Sequence, residues 1–365
     1  MKLRLIAAMV LSGLSAVTQA AEMPELHIFA WADYFAPDAL SRFTKETGIK
    51  IIYDKFESNE VLQAKLLTGR SGYDVVFPAS EFVSKQIAAG LYLPIDKKKL
   101  TNYHNLDGNV MGKASDVDPG NRYGVPYVWG TVGVAIRPAA VKAALAGMPM
   151  PADPLALLFD ARYTSKLKKC GISYLDAATD VGNMALAYQG KSLVGGKFDL
   201  TALDAAMKVI QPARADVRLF NSTPIDPVGG GDVCVAMMYS GDAYTAAKRA
   251  KEVGSKDTVT YLLPKQVIPA WMDMMAIPKD APHPDNAHRF INYMMEAKVA
   301  AETTNFLSFV NPNGAATAFV RPEIRNDPKI YLPADTIRQL ALSVSAPQAY
   351  QLKRQQFFYR FKSAK

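Results

Sequence analysis

Four histidines and two cysteines are the only imidazole and thiol side chains in this 365-residue sequence. His27, His104, His283 and His288 form no H-E-x-x-H and no paired metal spacing, so no metal centre is expected. With only Cys170 and Cys234, a disulfide-dense scaffold is excluded. The chain also lacks G-x-G-x-x-G, G-K-[ST] and G-x-S-x-G, which removes the common phosphate loops and the hydrolase nucleophile elbow. Gly229-Gly230-Gly231-Asp232 is rich in glycine but has no phosphate-loop spacing, and it reads as a turn before a strand. No nucleophile–base pair is evident, so neither catalysis nor a cofactor is expected. Beyond residue 20 no apolar run approaches the roughly eighteen residues of a membrane span. Internal repeats and low-complexity segments are absent as well.

What remains fits a folded chain of about two domains: 49% of residues are hydrophobic and 21% charged. Forty-two Lys and Arg against 34 Asp and Glu give +8, a balance that by itself points to an anionic partner such as nucleic acid. The local charges described below outweigh it. Lys2 and Arg4, the apolar stretch Leu5 to Val17 and the small residues at Thr18-Gln19-Ala20 predict a cleaved secretory signal over residues 1–20. Its removal lowers the charge to +6. The mature chain is then expected in the periplasm. In that oxidising compartment Cys170 and Cys234 either pair or remain as two buried thiols.

Short β-rich runs alternate with amphipathic stretches. Leu26–Ala30, Ile49–Tyr53 and Tyr73–Phe77 read as strands. Helices follow from Pro37 to Gly48, from Ser58 to Gly69 and from Ser80 to Ala89. Later strands are expected at Cys170–Leu175, Val233–Tyr239 and Thr258–Leu262, and helices at Leu203–Ile210, Ala243–Val253 and Pro284–Glu296. Met148–Pro154 and Thr223–Gly231 read as loops. The pattern predicts an α/β fold with helices on both faces of each sheet.

Three segments place an aromatic residue close to an aspartate: Trp31-Ala32-Asp33-Tyr34, Tyr239-Ser240-Gly241-Asp242 and Trp271-Met272-Asp273. An aromatic face attracts an organic ammonium ion and a carboxylate accepts its N–H groups. Each segment alone has an ordinary reading, a core aromatic beside a turn aspartate. Three of them in an exported α/β chain point to a cation site.

With these segments on the page, and with Thr47-Gly48-Ile49-Lys50, Ser58-Asn59-Glu60-Val61-Leu62, Gly124-Val125-Pro126-Tyr127, Leu175-Asp176-Ala177, Gly231-Asp232-Val233-Cys234 and Ser240-Gly241-Asp242, the mature chain resembles the periplasmic polyamine-binding proteins of bacterial ABC importers, above all the putrescine-binding kind. The resemblance implies a two-lobe periplasmic-binding-protein fold of type II with the ligand in the interlobe cleft. Lobe 1 is expected over residues 21–131 and 269–312, lobe 2 over 132–268 and 313–365. The family's two equivalent cysteines are bonded, which implies a Cys170–Cys234 disulfide.

Carried onto this sequence, the family's ligand box falls on Trp31, Tyr239, Trp271 and Phe309 for the methylene chain and ammonium faces. Asp242 and Asp273 are implied to bind one terminal ammonium each, with Asp33 and the Ala32 carbonyl completing the first-lobe end. Tyr239 and Phe309 stand where the family usually has Trp and Tyr. Asp180 stands where putrescine binders have Glu and, being one methylene shorter, is expected to reach the amine through water. Ala79 replaces a serine. Glu81 replaces a small residue, and reads either as an extra carboxylate at the pocket rim or as a surface residue favoured by a helix dipole. The implied function is an exported receptor for putrescine or a similar short diamine. It closes on the ligand and delivers it, as a monomer, to the membrane permease of an ABC importer. Other readings keep the fold but bind spermidine or a guanidinium amine such as agmatine, or act in polyamine sensing.

Overall fold

A computed structural model describes residues 22–192 and 197–364; the expected signal over 1–20 lies outside the described residues. Ten strands run in chain order: β1 (Glu25–Trp31), β2 (Lys50–Phe56), β3 (Val75–Val76), β4 (Gly124–Ile136), β5 (Ile172–Tyr174), β6 (Leu219–Phe220), β7 (Val235–Tyr239), β8 (Thr260–Leu262), β9 (Pro269–Ala276) and β10 (Ala341–Leu342). Their spatial order is β2-β1-β3-β9-β4-β7-β5-β6, with β10 on β9 and β8 on β4. β1 pairs in parallel with both β2 and β3, and β7 pairs in parallel with β5, as α/β units with intervening helices require.

β4 is the strand that joins the two halves. Residues Gly124 to Thr131 pair antiparallel with β9, and residues Val132 to Ile136 pair antiparallel with β7. Its sequence, GVPYVWGTVGVAI, carries no charge over thirteen residues and is buried throughout. A continuous apolar run of this kind is what a strand covered on both faces requires.

Three principal cores flank this strand. One gathers Phe35, Phe77, Tyr127 and Phe290. A second gathers Phe159, Tyr174, Met184 and Phe361. A third sets Val83, Val110, Trp129 and Met272 against Ile324, Ile330, Ile337 and Leu340. Residues 313–365 divide between two of these cores. Residues Ala316 to Leu342 contribute to the Trp129 core, and Ala346 with the terminal helix Gln348–Ser363 returns to the Tyr174 core through Tyr350, Phe358 and Phe361. Two elements differ locally from expectation. The expected strand at Tyr73–Phe77 contracts to the two residues of β3, and the expected loop Thr223–Gly231 contains a helical turn, Ile225–Gly230, ended by Gly231 at φ 98°.

Cys170 and Cys234 form a disulfide, with Cα atoms 5.5 Å apart. Each precedes one strand of the parallel pair β5–β7, in which Ile172 faces Val235 and Cys234 N donates to Gly171 O at 3.0 Å. The bond spans 64 residues, a loop whose closure in the unfolded chain is worth about 2–4 kcal/mol. Replacing both cysteines with serine should lower the unfolding free energy by that amount, seen as a lower denaturant midpoint, while far-UV circular dichroism is retained. An unchanged midpoint would show that the bond contributes nothing to stability.

Candidate functional site

The carboxyl ends of β1, β3, β5 and β7 open onto one cavity of about 840 Å³. Ligands of open α/β sheets bind outside such strand ends. Trp31 closes β1, Ala79 follows β3, Asp180 lies beyond β5 and Tyr239 ends β7. Glu81, Asp180 and Asp242 each occupy the first turn of a helix, Ser80–Ala88, Ala178–Tyr188 and Ser240–Glu252 respectively. Asp273 comes from the middle of β9, where it is 6% exposed and bridges to Ala79.

One wall is aromatic. The Trp271 ring meets Phe309 edge-on at 4.8 Å between centroids and Tyr239 edge-on at 5.9 Å. Trp271 packs against both the Phe35 core and the Tyr174 core. Two glycines permit this arrangement. A Cβ at Gly130 of β4 would stand 3.2 Å from the Trp271 ring, and one at Gly241 would stand 2.5 Å from Phe309. Either side chain would push the wall into the cavity. Trp31 lies elsewhere on the lining, edge-on to Phe56 at 4.6 Å, with its carbonyl accepting a hydrogen bond from the Tyr53 hydroxyl.

Of the residues predicted from sequence, Trp31, Glu81, Asp180, Tyr239, Asp242, Trp271, Asp273 and Phe309 all line the cavity. Ala32 and Asp33 do not line it and are exposed. β1 ends at Trp31, and Asp33 takes φ 51°, so the turn directs Tyr34 inward in their place. Tyr34 donates to Asp273 Oδ2 and lines the cavity beside it. Sequence reasoning passed over Tyr34, although it belongs to the quoted Trp31 segment. It also missed Arg354 of the terminal helix and Lys85, which line the same cavity.

The electrostatics are those of carboxylates removed from water without a cation. Burial pushes Asp242 up to about 7, and no other influence on it is resolved. Burial also raises Asp273 to about 7; the negative charge of Glu81 adds to this, while the Tyr34 hydroxyl and the Trp31 indole oppose it. Glu81 reaches about 7 through burial first and Asp180 next, against the pull of Arg354 and Thr179. Asp180 is raised by burial, opposed by Arg354 and by the Tyr239 hydroxyl, which donates to its Oδ2 at 2.7 Å. Placement in a first helical turn favours a carboxylate by only about 0.3–1 kcal/mol. Desolvation is larger, so the upward shifts prevail. Among the described residues no group of three His, Cys, Asp or Glu is arranged to hold a metal ion. The arrangement therefore offers buried negative charge and aromatic faces, a combination suited to an organic cation.

Comparison with known proteins accords with this geometry. The pattern of the bacterial extracellular solute-binding protein family matches residues 38–332. The putrescine-binding periplasmic protein SpuD of Pseudomonas aeruginosa is 42% identical over 99% of this chain and 98% of its own. The putrescine-binding periplasmic protein PotF of Escherichia coli is 39% identical over 93% and 91%. The structure of the spermidine/putrescine ABC transporter substrate-binding protein PotD of Streptococcus pneumoniae superposes with a TM-score of 0.77 at 25% identity, covering 93% of this chain and 98% of that one. The fold is thus the two-lobe fold of periplasmic binding proteins, and its relatives are binding proteins rather than enzymes. The chain belongs to the bacterial extracellular solute-binding proteins.

Proposed function

We propose that this protein is an exported receptor that binds putrescine, or a diamine of similar length, between its two lobes and delivers it to the membrane component of an ABC importer. The observation that carries this reading is the pair Asp242 and Asp273. Both carboxyl groups line one cavity, both are raised to about 7 by burial, and no basic side chain is paired with either. Each takes one terminal ammonium group. Trp271, Tyr239, Phe309 and Trp31 enclose the methylene chain and the faces of the ammonium groups, at about 0.5–2 kcal/mol for each cation–π contact. Tyr34 orients Asp273 from behind, and Tyr239 does the same for Asp180. The names of the relatives SpuD and PotF support the ligand class.

The lobe division we propose keeps 21–131 with 269–312 and 132–268 with the terminal helix, and moves residues 316–342 to the first lobe on the strength of their packing. A ligand that touches Asp242 of one lobe and Asp273 of the other binds the closed form better, and closure follows from that difference in affinity. The remaining features of the reading are a signal peptide at 1–20 that is cleaved on export, a monomeric receptor and no affinity for nucleic acid. The cavity's unpaired carboxylates outweigh the chain's diffuse positive charge, which salt screens beyond about 8 Å.

A thermal-shift series on ligand-stripped protein tests the reading. Putrescine at a thousand times its Kd should stabilise the fold by about 4 kcal/mol, whereas amino acids and sugars leave the transition in place. A larger shift with spermidine or agmatine would reassign the ligand, and no shift with any amine would end the polyamine reading. Asp273→Asn and Trp271→Ala should each weaken putrescine binding by about tenfold or more, a loss of at least ~1.4 kcal/mol, with the melting transition retained.

Affinity should also fall on acidification. Asp242 and Asp273 titrate near 7 in the empty cleft and must be ionised to hold ammonium, so between pH 8 and pH 6 each protonation costs about a factor of ten. Stability of the ligand-free protein carries the opposite sign. Both folded-state values lie above the usual Asp value of 3.8, so these two groups destabilise the fold progressively as pH rises from 3.8 through 7. Calorimetric titration at pH 6 and pH 8 checks the first effect, and an affinity independent of pH would exclude these two carboxylates from the site.

A further inference from the structure

A site for organic cations should have little use for basic side chains, yet three line this cavity: Lys362, which is paired with Asp176, Lys85 and Arg354. Lys85 is half-buried, its ammonium 3.9 Å from the Phe82 ring centroid. Arg354 is the more unusual: 8% exposed, it makes no hydrogen bond among the described residues, and its Nε is buried without a partner. Its position is nonetheless built. The aliphatic stem runs past Gly182, where a Cβ would lie 3.0 Å from Arg354 Cδ, and the guanidinium stands 6.0 Å from the centroid of the Tyr350 ring. The helix bearing Glu81 is tied to the segment that leads into the Arg354 helix, because Ser345 Oγ donates to the Glu81 carbonyl at 2.7 Å. Glu81 and Asp180 are the carboxylates whose charges act on Arg354, and Glu81 with Glu60 acts on Lys85.

The charges can be counted. The carboxylates that line the cavity without being exposed are Glu81, Asp180, Asp242 and Asp273; of the three basic side chains Lys362 is neutralised by Asp176, which leaves Arg354 and Lys85. Two negative charges remain, the number a diamine neutralises. The exposed carboxylates of the lining do not alter this count: Asp176 is paired with Lys362 at 2.7 Å, and Glu57 and Glu60 face water.

We propose that Arg354 is a counter-cation supplied by the protein itself, lining the same cavity as Glu81 and Asp180 and taking up the charge that a third ammonium group of a longer polyamine would otherwise meet there, so that it restricts the cleft to ligands with two charged nitrogens. This rests on the polyamine reading above and adds to it the residue that sets ligand length. A third ammonium entering there meets a guanidinium in a partly desolvated space, where like charges repel. A ligand carboxylate is disfavoured in the same cavity, because the negative charges of Glu81 and Asp180 already act on the guanidinium. Glu81 lies in the cavity lining, and its charge acts on Arg354.

The test is calorimetric titration of putrescine, spermidine and the ω-amino acid 5-aminovalerate into wild type, Arg354→Gln, Glu81→Gln and the double variant, with melting transitions as the control for folding. Arg354→Met, which keeps the stem beside Gly182, replaces Arg354→Gln if the latter does not fold. The wild type should prefer putrescine, and removing the guanidinium should raise the spermidine-to-putrescine affinity ratio by about tenfold or more. Glu81→Gln leaves the guanidinium uncompensated and should weaken putrescine binding about fivefold or more, and the double variant should recover most of that loss. An unchanged ratio in a protein that binds putrescine overturns the role of Arg354 alone. Tighter binding of 5-aminovalerate than of putrescine, lost on removing Arg354, also overturns it, since the guanidinium would then grip a ligand carboxylate. A wild type that binds neither amine overturns the polyamine reading and this proposal together.

Discussion

A carboxylate taken out of water without a cation beside it costs several kcal/mol, and the cost is recovered only when a well-placed partner arrives. The cleft of this protein is organised around that imbalance. Asp242 and Asp273 are held where burial raises them to about 7, and the rest of the fold keeps them there. The aromatic wall excludes water without offering a hydrogen bond that would satisfy them. Tyr34 fixes Asp273 through a hydroxyl, which orients the carboxylate but carries no charge to neutralise it. The strain of the empty state is therefore electrostatic and local, and a diffusible dication relieves it.

The backbone explains how two halves of the chain share this duty. β4 gives its first residues to β9 and its last to β7. Asp273 on β9 and Asp242 just after β7 are thus carried by two neighbours of one uninterrupted strand. A small change in the angle between the sheets changes the separation of the two carboxylates while each keeps its own surroundings. Trp271, which touches both major cores, stands at the place where such a change is felt.

Much of this was legible from residue order. Trp31, Tyr239, Asp242, Trp271, Asp273 and Phe309 reach the cavity, and Cys170 with Cys234 forms the bond that the resemblance implied. Local patterns succeed here because strand ends and first helical turns place side chains by sequence alone. Ala32 and Asp33 stay outside the cavity lining because a single left-handed residue decides which member of the turn points inward, and φ is not written in the residue type of an aspartate. Arg354 was missed for a different reason. Its helix, QAYQLKRQQFFYRFKS, looks polar and charged, and what makes Arg354 a cavity residue is Gly182, far away in sequence. The signal that was available is the spacing of the buried residues Tyr350, Arg354, Phe358 and Phe361 along one helical face. The division of 313–365 between two cores depends on long-range packing that no periodicity records.

The order of the strands also bears on when the chain can fold. Val76 of β3 pairs with Ala276 of β9, and Gly124 of β4 pairs with the same residue. The strand that completes the sheet of the first lobe is therefore made long after the strands it joins. Until it arrives, β3 and the apolar first half of β4 have no neighbour between them, and the amino-terminal part of the chain has no closed sheet to settle into. Contacts so distant in sequence form slowly. Under the export proposed above, late completion keeps the polypeptide threadable until its second half has followed.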